Sequence, residues 1–167
     1  MNKTNLVLVL TMLSAASVHA VQPAESTRLD EVAERGAHVM PFSLDKTVHF
    51  FKNTETGGIQ QVTAKNPSDS EQIALIRKHL AKIASQFAKG DFSGPQRIHG
   101  ENMPGIKELS VADGRVQFVY QDLPEGGQIN YLTDAPELID AIHRYFDAQL
   151  SDHARHAVSG GHTMHHP

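Results

Sequence analysis

The chain has 167 residues, a formal net charge of −4 and no cysteine. The lack of cysteine excludes disulfides, thiolate metal sites, Fe–S clusters, thiol redox chemistry and covalent c-type haem. The acidic balance, with no basic tract, argues against nucleic acid or an anionic lipid surface as a partner.

The first 20 residues predict a cleavable signal peptide. Lys3 supplies the positive start, and the apolar run at residues 6–13 is shorter than the ~20 residues that span a bilayer. Val18 and Ala20 stand at the two positions that a signal peptidase reads, which predicts cleavage before Val21. We therefore expect a periplasmic or secreted protein that does not insert into the membrane.

The remaining chain is long enough for one domain with one modest core. Its composition assigns residues 21–27 to a flexible leader and residues 28–157 to a single domain. Residues 158–167, which are rich in histidine and methionine, are predicted to form a flexible tail.

The first half of the domain predicts one short helix, a hairpin and a long helix. The short helix covers residues 28–35, and strands at 48–51 and 59–64 flank a turn with two glycines. The long helix begins at Asp69, carries apolar residues at helical spacing and ends at Gly90.

The second half repeats the order of hairpin and helix. Residues 90–106 form a predicted loop with room for one short turn of helix. Strands follow at 116–120 and 128–132, and Pro136 lies in the first turn of a helix. Its predicted buried stripe is Leu138, Ile139, Ile142, Phe146 and Leu150. We therefore predict an α+β fold in which two ββα units form a two-layer structure, an antiparallel sheet covered by two helices.

Histidine is unusually abundant, with ten of the 11 residues lying after the predicted signal peptide. Imidazole is the commonest side-chain metal ligand and titrates near neutral pH. In the tail, His162, Met164, His165 and His166 combine imidazoles, which suit copper and zinc, with a thioether, which selects Cu(I). This pattern predicts a loose, exchangeable metal site, the alternative being a solvated terminus.

A second histidine group lies at the end of the last predicted helix. His153 and His156 are three residues apart, and Asp152 precedes His156 by four, so one helix face can present two or three metal ligands. The alternative is a histidine at the edge of the core, because His153 continues the apolar stripe. A histidine there is also favoured by the helix dipole.

The other histidines of the mature chain are scattered over every predicted element, and each alone is more often structural than a ligand. They are His38, His49, His79, His99 and His143. Every methionine after the signal peptide has a histidine within four residues, as binding of both copper oxidation states would need. Chance proximity is the alternative.

No motif predicts nucleophilic catalysis, since Gly-x-Ser-x-Gly, His-Glu-x-x-His and a Gly-rich phosphate loop are all absent. The leading hypothesis is an exported metal-binding protein, copper first and zinc second, in buffering, delivery or tolerance, with the ion and another periplasmic protein as partners. One alternative is a non-enzymatic module that binds a protein or peptide and whose histidines respond to pH. Another is a small metal-dependent enzyme.

Three segments carry a family resemblance: residues 35–42 (RGAHVMPF), 98–105 (IHGENMPG) and 146–153 (FDAQLSDH). They resemble a family of small exported bacterial proteins of unestablished function, often labelled aspartate carbamoyltransferase. That label implies carbamoyl transfer, which needs a Ser-x-Arg-Thr phosphate loop and a His-Pro-x-Gln motif. Here Arg28 is followed by Leu29, and the second motif is absent.

Overall fold

The structure, a computed structural model, describes residues 21–160 and confirms the α+β class. The helices of this part are α1 (Ser26–Val39), α2 (Ser70–Phe87), α3 (Ser93–His99), α4 (Ile106–Ser110) and α5 (Pro136–Asp152). The strands are β1 (Thr47–Thr54), β2 (Gly57–Ala64), β3 (Gln117–Leu123), β4 (Gly126–Leu132) and β5 (Ala157–Ser159). A 3₁₀ turn at Leu44–Lys46 leads into β1. Among the helices in residues 21–160, none is long and apolar enough to cross a membrane.

The five strands form one mixed sheet in the order β3-β4-β2-β1-β5. Both predicted hairpins are present, and β2 pairs with β4 in antiparallel orientation to join them. The sheet differs from the antiparallel one we predicted, because β5 pairs parallel to β1. This pairing is anchored where the His49 amide donates to the His156 carbonyl over 2.8 Å and the Gly160 amide donates to the Phe51 carbonyl over 3.0 Å.

Two glycines allow the long helices to approach the sheet closely. A Cβ at Gly58 would clash with the ring of Phe146 on α5, and one at Gly127 would lie 3.1 Å from Leu80 Cδ1 on α2. Gly127 pairs with Val62, which follows Gly58 on β2 by four residues. Because side chains alternate along a strand, both helices contact the same face of the sheet.

The core combines side chains from the sheet and from the helices. Its largest fully buried side chains are Tyr131, Tyr145, Phe51, Phe92, Phe146, Ile76, Leu80, Ile106, Leu109, Ile129, Leu138 and Ile142. The stripe predicted for α5 is confirmed at Leu138, Ile142 and Phe146, whereas Ile139 and Leu150 are only half-buried. Tyr145 is also buried on this helix, although the predicted stripe does not include it.

The short elements differ most from the predictions. The first helix runs to Val39 instead of ending before Gly36, whose bare backbone lets Leu44 pack closely against it. The predicted loop at 90–106 contains α3, which packs against α1. A seven-residue helix depends on such tertiary contacts, because an isolated helix of that length is unstable in water.

The N-terminus of α2 has a side-chain cap whose contribution to stability can be measured. Asp69 caps the helix by accepting a hydrogen bond from the Gln72 amide over 3.2 Å. Replacing Asp69 with alanine should lower the free energy of unfolding by about 1 kcal/mol, measured by urea titration. Asp140→Ala, which removes only an exposed pair with Arg144, is the control and should change it by less than about 0.5 kcal/mol. Equal effects of the two substitutions would contradict the cap.

Candidate functional site

Four histidines from distant parts of the chain meet at one end of the sheet. His49 lies on β1, His99 ends α3, His153 follows α5, and His156 lies between α5 and β5. We call these four residues the histidine cluster. His49 and His153 are each 4% exposed and His99 is 6% exposed, so three of the imidazoles are almost fully removed from water.

An ion pair fixes the orientation of His99. The guanidinium of Arg28 on α1 donates to both carboxylate oxygens of Asp152, Nη2 to Oδ2 over 2.6 Å and Nε to Oδ1 over 3.2 Å. His99 Nδ1 lies 2.7 Å from the same Oδ2, and Arg28 Nη2 also donates to the His99 carbonyl. Asp152 is thus held from two sides, and it holds one edge of the His99 ring.

The next contact joins two imidazoles directly. His99 Nε2 and His153 Nε2 are 3.2 Å apart, and the ring centroids lie 4.9 Å apart in an edge-to-face arrangement. Since His99 Nδ1 donates to a carboxylate, the Nε2 of a neutral His99 carries a lone pair. In that tautomer of His99, the donor in this contact is Nε2 of His153.

The surroundings keep these histidines neutral. Burial lowers the pKa of His99, although the hydrogen bond to Asp152 opposes this. Burial, together with the neighbouring His49 and His99, holds the pKa of His153 well below its ordinary value of 6.5. Burial also lowers the pKa of His49 to about 3. Although its own burial opposes ionisation, Asp152 has its pKa lowered to about 2 by hydrogen bonds from His99 and Arg28.

Two buried nitrogen atoms of the cluster, His49 Nε2 and His156 Nδ1, have no hydrogen-bond partner within residues 21–160. The His49 ring centroid lies 5.4 Å from that of His153, so His153 has an imidazole on each side. Buried polar atoms without a partner are uncommon in folded proteins. These two atoms therefore mark places where a ligand or a water molecule would complete the structure.

A small cavity of about 50 Å³ adjoins the cluster. Its polar wall contains three imidazoles, those of His49, His79 and His99, and its remaining lining is largely apolar. The His79 ring packs edge-on against Phe42 at a centroid distance of 5.5 Å, and burial lowers the pKa of His79 to about 4. The volume is enough for a few water molecules or an ion, and not for a larger metabolite.

The three residues that the sequence predicts as metal ligands near the end of the last helix do not all lie on one helix face. Asp152 and His153 lie in the centre of the network, but α5 ends at Asp152, so His156 does not share a helix face with them. His156 instead has its Nε2 3.8 Å from Asp45. Within residues 21–160, no group of three or more histidine, aspartate or glutamate side chains is arranged to hold a metal ion. His162, Met164, His165 and His166 lie outside the described residues.

Sequence reasoning left open which scattered histidines converge. His49, His79 and His99 do. His38 is exposed and bonds the Glu34 carbonyl in its own helix, while His143 contacts backbone carbonyls of the first hairpin. No local sequence pattern indicates the role of Arg28, because its partner Asp152 lies 124 residues away in the chain.

Comparison with known proteins gives no match: no family model, no curated protein and no solved structure corresponds to the chain.

Proposed function

We propose that this protein binds a transition-metal ion, copper first and zinc second, between His99 and His153. The separation of 3.2 Å between their Nε2 atoms carries the proposal. Two nitrogen ligands about 2.0–2.1 Å from a tetrahedral ion lie roughly 3.3 Å apart. An ion can thus replace the shared hydrogen once His153 moves its proton to Nδ1 and both rings tilt, so that the two Nε2 lone pairs converge on one point.

The hydrogen-bond network around His99 supports this assignment. A histidine that binds metal through Nε2 usually donates its Nδ1 hydrogen to a carboxylate, which fixes the tautomer and raises the basicity of the ligand. Asp152 provides that carboxylate, and Arg28 neutralises it. In this proposal Asp152 positions a ligand and is not a ligand itself.

The protonation state of the cluster also favours metal binding. An imidazole binds metal only when it is neutral, and burial favours the neutral form of both His99 and His153 by lowering their pKa values. A third ligand would come from His49, whose unpartnered Nε2 lies in the ring next to His153. That ring has to turn, since no three-ligand group is formed among residues 21–160.

The three segments that carry the family resemblance contribute to this site. Residues 35–42 supply Met40 and Phe42 to the cavity, residues 98–105 supply His99, and residues 146–153 supply Asp152 and His153. We propose that the protein acts after export, in metal buffering, delivery or tolerance. The tail histidines and Met164 would then act as a capture arm.

One observation favours a second candidate, the interaction module with pH-responsive histidines. The cluster has four imidazoles, and the burial of three of them opposes protonation. Acid would therefore strain the packing of α3, α5 and β1 against one another. This candidate predicts a change in stability or association between about pH 5 and pH 7 that chelators do not affect.

Titration calorimetry of the chain from residue 21 onward, without an affinity tag, tests metal binding. We expect about one Cu(II) or Zn(II) ion per chain with a Kd well below ~10 μM. His153→Gln should abolish this binding because it removes one of the two closest ligands. The matched control is His38→Gln, which removes an exposed histidine that contacts only its own helix and should leave the Kd unchanged.

A further variant distinguishes metal binding by the histidine cluster from metal binding by the tail. With His162, His165 and His166 replaced by glutamine, tight binding should persist. No binding of Cu(I), Cu(II) or Zn(II) tighter than ~10 μM by the unsubstituted chain would end the metal proposal. Loss of binding in the tail variant, with His153→Gln unaffected, would move the site to the tail.

A further inference from the structure

The cavity beside the histidine cluster has a thioether in its wall. Met40 follows the last residue of α1, and its amide donates to the Gly36 carbonyl over 2.8 Å. Its half-buried side chain lines the cavity together with His49, His79 and His99. Because the cavity has a volume of only about 50 Å³, these four side chains lie around a space that holds no more than a few water molecules, together with other, largely apolar lining residues.

Among the residues that the structure describes, no charged side chain lines the cavity. Asp152, the carboxylate that contacts His99, already pairs through both of its oxygens with Arg28. The free-energy cost of burying an ion grows with the square of its charge, so a monovalent cation costs about a quarter as much as a divalent one in the same surroundings. An electrically neutral site of this kind favours the ion of lower charge.

The donor atoms favour the same ion. Thioether sulfur is a soft ligand that selects Cu(I), whereas imidazole accepts copper and zinc alike. His49 is 4% exposed, and its unpartnered Nε2 belongs to a ring that lines the cavity. A soft monovalent ion would give this nitrogen a partner without adding a carboxylate.

We propose that the bound ion is Cu(I), reached through this cavity, with the sulfur of Met40 as a ligand in addition to the imidazoles of the cluster. This inference rests on the proposed function and narrows it to one oxidation state of one metal. The reduced ion is the cargo, so no oxidation or reduction step is part of the proposal.

Met40→Leu tests the role of the sulfur, because leucine preserves the volume and apolar character of the side chain. We expect its Cu(I) affinity to fall at least about tenfold, measured anaerobically by competition with bicinchoninate, while its Zn(II) affinity changes by less than about twofold. Met103→Leu is the matched control. Met103 follows His99 by four residues but packs in the core outside the cavity, so both affinities should be retained.

Copper-edge X-ray absorption gives a readout that does not depend on affinity. A sulfur neighbour should be present in the unsubstituted protein and absent in Met40→Leu. Unchanged Cu(I) affinity and an unchanged sulfur neighbour in Met40→Leu, with binding still lost in His153→Gln, would overturn the inference while leaving the proposed function intact. If the unsubstituted chain binds neither Cu(I) nor Zn(II), both proposals fail together.

Discussion

Arg28→Met should lower the free energy of unfolding by about 2–3 kcal/mol, somewhat less than the ~3–5 kcal/mol typical of breaking a fully buried ion pair. The substitution leaves the carboxylate of Asp152, whose side chain is only 12% exposed, without its countercharge. It also removes a donor from the His99 carbonyl. The reduction is smaller than for a fully buried pair because the Arg28 side chain is 31% exposed and water can reach it. Urea unfolding at pH 7 measures the difference.

The chain offers a close control for this substitution. Arg155 forms a salt bridge with Asp30 over 2.6 Å, which also joins α1 to the region after α5, but its two side chains are 48% and 68% exposed. Arg155→Met should therefore change the free energy of unfolding by less than about 1 kcal/mol. Similar losses in both variants would mean that the effect comes from tethering α1 and not from the ion pair with Asp152.

Arg28→Met also tests whether Arg28 positions Asp152 against His99 or only stabilises the fold. Without the guanidinium, Asp152 is free to turn away from His99, which should weaken metal binding by roughly 10–100-fold. Arg155→Met should leave the affinity unchanged even though it acts on the same helix. Metal affinity that is equal in the two variants would contradict the positioning role of Arg28.

The elements that the sequence predicts well are those with strong local patterns. The long helix α2 has its Asp69 cap and a regular apolar repeat, and both hairpins have two apolar runs around a glycine turn. By contrast, β5 is three residues long, and its pairing with β1 depends on how the chain turns after α5. No period or composition in such a short segment distinguishes a strand from a tail.

The site is predictable only in part, for a similar reason. The sequence predicts Asp152 and His153 as metal ligands because they share helical spacing with His156 at the end of the last predicted helix. Their partners are far away in the chain: His99 precedes His153 by 54 residues, and His49 comes from the first strand. An excess of histidine indicates that some rings will meet, but only the packing of α3, α5 and β1 determines which ones.

Because that packing buries the histidines, we also expect a large effect of pH on the stability of the protein. The free energy of unfolding of the metal-free protein should fall steeply as the pH is lowered from about 6.5 to about 4. Burial lowers the pKa of His49 to about 3 and that of His79 to about 4 in the folded chain, whereas both residues have a pKa near 6.5 when unfolded. Below pH 6.5 the unfolded chain therefore binds more protons, and acid favours it.

Each histidine that is neutral when folded and charged when unfolded contributes a slope of about 1.4 kcal/mol per pH unit. Urea titrations at pH 7, 6 and 5, with a chelator present to exclude metal, measure the total slope. His79→Asn should reduce it by up to that amount, because His79 lines the cavity without joining the hydrogen bond between His99 and His153. His38→Gln, on the exposed side of α1, should leave it unchanged. A stability that is flat between pH 7 and pH 5 would show that these imidazoles reach water in the folded state, and an ion would then have no dry, neutral cluster to bind.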